Sequence, residues 1–97
     1  MPDDLIRKTI LESEKTRLRV SETILSMVDA GEEISFTSVA RKAQVSRTYL
    51  YRHEDLRGLI DDCRVTGMSK AELRREVIRL RLRVRELERI VLEPGNN

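Results

Sequence analysis

Six of the seven residues from Arg47 to His53 carry groups that can donate or accept hydrogen bonds: Arg47, Thr48, Tyr49, Tyr51, Arg52 and His53. The arginine fork offers parallel N–H donors that match the O6/N7 edge of guanine or two phosphate oxygens. Threonine and tyrosine hydroxyls reach base edges or the sugar–phosphate backbone. Ser46 stands directly ahead of them as a good helix N-cap, which leaves the first turn of the next helix free to meet a groove. His53 is the only histidine of the chain. It has no cluster of second ligands around it and is expected to close the helix or pack rather than bind metal.

Such a set works only if something positions it, and the surrounding segment ISFTSVARKAQVSRTYLYRHEDLR has the pattern to do so. Two short helices crossing at roughly a right angle need a small residue in the middle of the first, and Ala40 supplies it. Val39 and Ala43 give that helix an apolar face, Val45 can plug the turn, and Leu50 can bury the second helix one turn in. Ser35 or Thr37 can cap the first helix, with Thr37 and Ser38 near its start. The spacing predicts a helix-turn-helix over residues 36–53. Thr37, Ser38, Ser46, Arg47, Thr48, Tyr49, Tyr51, Arg52 and His53 are then the candidate DNA-binding residues, and double-stranded DNA is the candidate partner. The plainer alternative is a helical hairpin in a small bundle.

The stretch VARKAQVSRTYLYRH resembles the DNA-binding region of TetR-type repressors, through Ala40, Ala43, Val45, Ser46, Leu50, Tyr51 and His53. A broader likeness is to small transposon-encoded accessory DNA-binding proteins of the transposase C type, carried beside the recombinases of certain site-specific transposons. It rests on Ala30, Gly31, Glu32, Phe36, Val39, Ala40, Arg41, Ala43, Val45, Ser46, Arg47, Leu50, Tyr51, Arg52, His53, Leu56 and Arg57. This resemblance implies a sequence-specific DNA-binding protein with an accessory or regulatory role in site-specific transposition, and a recombinase as a possible partner. A transcriptional repressor with the same DNA-binding mode is the first alternative; a coiled-coil adaptor is the second. Two departures stand out. The turn position usually held by glycine is Gln44, and a chain of 97 residues has no room for the ligand-binding domain of TetR-type repressors.

The rest of the chain reads as all-α. Charged residues make up 37% and aromatics 3%, a balance that favours helices over sheet. Residues 1–33 carry net charge −3, residues 34–68 +2 and residues 69–97 +3, so the positive field lies in the middle and C-terminal parts. Leu5, Ile6, Ile10 and Leu11, then Leu18, Val20, Ile24, Leu25 and Val28, mark one helix or two over residues 3–30, with Gly31 as C-cap. Asp55 is expected to cap a helix from Leu56 to about Val65. Ser69 is expected to cap a long last helix, with Glu72 completing a capping box.

In that last helix Leu73, Val77, Leu80, Val84, Leu87 and Val91 form a heptad seam with Val at a and Leu at d, which favours a parallel two-stranded coiled coil. Glu76 would face Arg81 of a second copy, and Arg83 would face Glu88. The expected organisation is a helical DNA-binding domain over 1–67, a coiled-coil homodimerisation helix over 68–93 and a disordered tail over 94–97. The competing reading packs the same seam on the protein's own core, for which the off-seam Ile78, Leu82, Ile90 and Leu92 speak in part. No enzyme signature, cofactor motif or metal-ligand spacing is visible. The one cysteine, Cys63, is expected to pack rather than react. The acidic start and the lack of an apolar run near 18 residues predict a cytoplasmic, nucleoid-associated protein and no membrane contact.

Overall fold

The computed structural model describes residues 2–67 and 69–92. The order is α1 (Pro2–Asp29), α2 (Phe36–Ala43), α3 (Arg47–Arg52), α4 (Glu54–Asp61), a π-helical turn (Asp62–Thr66) and α5 (Lys70–Leu92). All regular structure among the described residues is helical, as the composition led one to expect. The N-terminal apolar clusters belong to one helix, not two. It ends in a Schellman motif: the Glu32 N–H donates to the Met27 carbonyl at 2.9 Å and the Gly31 N–H to that of Val28 at 3.1 Å. Gly31 takes φ +71°, which a glycine adopts without Cβ strain.

Helix α1 runs antiparallel to α5 in the same chain. Asp29 lies against Lys70 at 3.3 Å, Glu22 against Arg81 at 2.8 Å, Glu14 against Arg83 at 3.0 Å and Lys15 against Glu88 at 3.5 Å. Between these rows the apolar stripes meet, and Leu11, Leu73, Val77, Leu80 and Val84 are buried. Glu14 is buried too, at 5% exposure, and it accepts from both Arg17 Nη1 at 2.8 Å and Arg83 Nε at 3.0 Å. A carboxylate taken out of water needs such partners, because a buried unpaired charge is strongly destabilising.

The α5 seam expected to join two copies is therefore occupied within the chain. Leu73 and Val77 are fully covered, while Leu87 and Val91 are half-buried. The flanking charges follow: Glu76 pairs with Arg79, and Arg81, Arg83 and Glu88 all pair with α1. The physical reason is proximity. Gly67, at φ +69°, turns the chain so that α5 meets α1 without the translational entropy that a second copy would lose. Leu73 also belongs to the same core as Val20, Ile24, Met27, Phe36, Val39, Leu50, Leu56 and Ile60, so the last helix and the preceding segment share one interior.

Two cap expectations separate here. Ser69 caps α5, its Oγ accepting the Glu72 N–H at 3.2 Å. Asp55 does not cap α4. That helix starts two residues earlier, at Glu54, with His53 at the cap position, and Asp55 sits in its first turn facing Arg17 at 3.6 Å. An acidic side chain there still complements the helix dipole. The tail over 94–97 lies outside the described residues.

The intrachain seam makes a definite prediction. Leu73→Ala should cost about 2–5 kcal/mol in urea unfolding, and the midpoint of the parent protein should not move with protein concentration. A midpoint that rises with concentration would place the seam between chains.

Candidate nucleic-acid interface

Three residues, Gln44, Val45 and Ser46, join α2 to α3. Helix α2 opens on a capping box in which Ser35 Oγ accepts the Ser38 N–H at 3.0 Å and Ser38 Oγ accepts the Ser35 N–H at 2.9 Å. It ends where Gln44 takes a left-handed conformation, φ 59° and ψ 46°. The Gln44 and Val45 N–H groups both donate to the Ala40 carbonyl. Arg19 of α1 adds Nε to the Ala43 carbonyl at 3.2 Å, satisfying an acceptor that the helix end would leave open. The chain then re-enters a helix at once, because Ser46 Oγ accepts the Tyr49 N–H at 3.0 Å.

The pattern residues lie where the spacing put them. Val39, Ala40, Ala43 and Leu50 are buried in the shared core, and Val45 packs partly against it. With 3.6 residues per turn, Arg47, Tyr51, Thr48 and Arg52 then fall in one arc of about 140° on α3. All four are exposed. On α2 the same geometry places Thr37 and Arg41 together, and both are exposed.

Four candidate residues make contacts within the protein. Tyr49 points away from the exposed arc: its hydroxyl is buried without a hydrogen-bond partner. Burial pushes its phenol above the ordinary tyrosine value, with the Arg17 charge opposing that rise. His53 Nδ1 lies 2.8 Å from the Tyr49 carbonyl, which can only accept, so this nitrogen carries the proton. The imidazole also tilts against the Tyr49 ring at 4.1 Å, and His53 thus closes α3. Ser38 is half-buried and held in the capping box, and Ser46, though exposed, uses its oxygen as a cap.

Tyr51 does both things. It is 50% exposed and stacks on Phe36 at 4.4 Å with 15° between the planes. Cys63 is half-buried, and its thiol is raised by burial and by Asp62, which disfavours the reactive thiolate.

The charge pattern sharpens the site. Arg74, Arg79, Arg81, Arg83 and Arg89 of α5, and Lys15 and Arg17 of α1, are in ion pairs. Arg74, near the start of α5, turns to Asp29. Arg41, Arg47 and Arg52 have no carboxylate partner among the described residues, as is also true of Arg75 and Arg85 on α5. The sequence reading singled out Arg47 and Arg52 and passed over Arg41. The signal for Arg41 was its place four residues after Thr37, one turn along the same face.

Two substitutions test this local account. A left-handed residue with a side chain costs about 1–2 kcal/mol, and glycine's extra unfolded-state entropy offsets about 0.4–1 kcal/mol of that. Gln44→Gly should therefore leave thermal stability unchanged or raise it by at most about 1.5 kcal/mol, and a clear loss would contradict the turn. A buried hydroxyl without a partner costs about 1–3 kcal/mol, so Tyr49→Phe should be neutral or stabilising, whereas Tyr49→Ala should destabilise. The raised phenol adds a pH signature. The unfolded chain releases that proton first, so stability should fall as pH rises above about 10, and Tyr49→Phe should remove that part of the fall.

Among the described residues no helix is long and apolar enough to cross a membrane. No solved structure matches the chain. Two curated proteins of Staphylococcus aureus do. They are a "Transposase for transposon Tn554" from strain Mu50 and a "Transposase C from transposon PsiTn554", each 33% identical over 89% of this chain and 77% of the relative. Residues 2–92 match the family described as "Family of unknown function (DUF6262)", and the chain belongs to that family.

Proposed function

We propose that this chain is a sequence-specific double-stranded DNA-binding protein with an accessory, non-catalytic role in site-specific transposition. Helices α2 and α3 act as a helix-turn-helix of TetR-like form. The observation that carries the reading is the exposed arc of Arg47, Thr48, Tyr51 and Arg52, whose two arginines have no carboxylate partner among the described residues. Arg74, Arg79, Arg81, Arg83 and Arg89 of α5 are held by carboxylates, whereas guanidinium groups without such a partner among the described residues, on a short helix behind a tight turn, suit a polyanion.

In the division of labour, Arg47 and Thr48, on the first turn of α3, meet base edges in the major groove. Arg52, Tyr51, Thr37 and Arg41 flank them and hold phosphates. Tyr49, Ser38, Ser46 and His53 set the shape of the unit. The relatives, named as transposases of transposons, favour DNA of a transposon as the target, and a recombinase is the protein partner that the accessory role would call for. A transcriptional repressor would use the same contacts at a promoter. Two copies on an inverted repeat fit the reading, but pairing through the α5 seam would require α5 to leave α1.

One observation favours a second reading, an adaptor that captures another protein. Leu5, Ile6 and Ile10 of α1 and Ile78, Leu82 and Ile90 of α5 are large apolar residues left exposed on the helical hairpin. The adaptor reading predicts that Arg47→Ala leaves function intact.

Selection of bound duplexes from a random pool, at moderate salt, decides between them. The parent protein should enrich a defined sequence. Arg47→Ala should relax one base position, at about 1–3 kcal/mol if the contact is bidentate. A pool that returns no preferred sequence would defeat the specificity claim.

A further inference from the structure

Arg64 lies outside the recognition segment, in the π-helical turn Asp62–Thr66 that follows α4. Its guanidinium carbon sits 5.9 Å from the centre of the Phe36 ring. Phe36 in turn stacks on Tyr51. One aromatic pair therefore links three elements: the first residue of α2, the exposed arc of α3 and the turn after α4. Arg64 itself is exposed and has no carboxylate partner among the described residues.

Several features set this arginine apart from an ordinary surface charge. A π-helical turn widens the backbone by one residue, a costly local geometry that recurs at functional positions. Here it brings the Arg64 guanidinium to the Phe36 ring. A ring under a guanidinium favours the cation and limits its motion without neutralising it. A carboxylate would have neutralised it, and that is how Glu14, Glu22 and Asp29 hold Arg83, Arg81 and Arg74 on the hairpin. The guanidinium thus rests against a ring with no carboxylate partner among the described residues, and a planar guanidinium held this way suits a phosphate's paired oxygens. Its neighbours fit the same ligand. Tyr51 shares the stack and presents an exposed phenol, and Thr37 follows Phe36 on the exposed face of α2.

We infer that Arg64, seated on the Phe36–Tyr51 stack, is a phosphate-gripping arm that clamps the DNA backbone at the edge of the α3 footprint. The inference rests on the DNA-binding reading and adds to it a contact from a third element. A phosphate contact carries no base information, so Arg64 contributes to the affinity for every duplex and to its salt dependence.

Fluorescence anisotropy of the full chain with labelled duplex DNA, over a range of salt, tests it. Arg64→Ala should weaken binding to specific and random duplexes by the same factor. It should also lower the slope of log K against log salt by about 0.9, the loss of one phosphate contact. Arg64→Lys keeps the charge and should keep the parent slope. Arg85→Ala, removing an exposed arginine of α5 that has no carboxylate partner among the described residues, should change neither. Helix content by circular dichroism confirms that each variant is folded.

If the parent binds DNA while Arg64→Ala keeps its affinity and slope, the clamp is wrong and the DNA reading stands. The same holds if Arg64→Lys loses as much slope as Arg64→Ala. If the parent binds no duplex even at low salt, both fall together.

Discussion

Helix α1 has to satisfy two neighbours at once, and the rest of the structure follows from that. Along one side it packs against α5 in antiparallel register. Along another, Val20, Ile24 and Met27 enter the core shared with α2, α3 and α4. Because both contacts lie on a single 28-residue helix, the short helices are held to a rigid rod. Helix α3 has six residues, too few for stability in isolation. It persists because Leu50 is buried, Ser46 caps its start and His53 closes its end. The polar arc of α3 is thus presented by a scaffold that contributes no side chain to it.

The same arrangement sorts the charges. The rod places the acidic N-terminal third against the basic C-terminal third, while in the middle of the chain Arg57 pairs with Glu54 and Arg41, Arg47, Arg52 and Arg64 have no carboxylate partner among the described residues. Exposed pairs of this kind contribute little stability each, about 0.2–1 kcal/mol. Their larger consequence is where the positive field ends up. On the DNA-binding reading, part of the scaffold's charge is paired within the chain, Arg75 and Arg85 excepted, and Arg41, Arg47, Arg52 and Arg64 give α2, α3 and the turn after α4 a positive field of their own.

Much of this was legible in the sequence because it is local. Gly31, Ser35, Ser46 and Ser69 announce helix ends through backbone chemistry that depends on near neighbours, and each ends or starts a helix in the structure. The burial of Val39, Ala40, Ala43 and Leu50 follows from spacing alone. The destination of the α5 seam was not legible. A heptad stripe says that a helix has a partner, not whose helix it is, and the deciding feature is a long α1 with charges in matching antiparallel register. Tyr49 misled for a related reason. Its type suits a binding surface, but its angle on α3 lies beside Leu50 and His53. Arg64 gave no signal at all, since its contact with Phe36 spans 28 positions and depends on a π-helical turn.

The central claim is that the exposed arc of α3 meets DNA while the α1–α5 rod only carries it. Backbone amide chemical shifts of the isotopically labelled chain, recorded during titration with a selected duplex, test this most directly. The account predicts that the largest changes fall on Arg47, Thr48, Tyr51 and Arg52, with smaller ones at Thr37, Arg41 and Arg64, and that amides along α1 and α5 stay in place. Changes centred on Ile78, Leu82 and Arg85 of α5, with α3 unmoved, would contradict it.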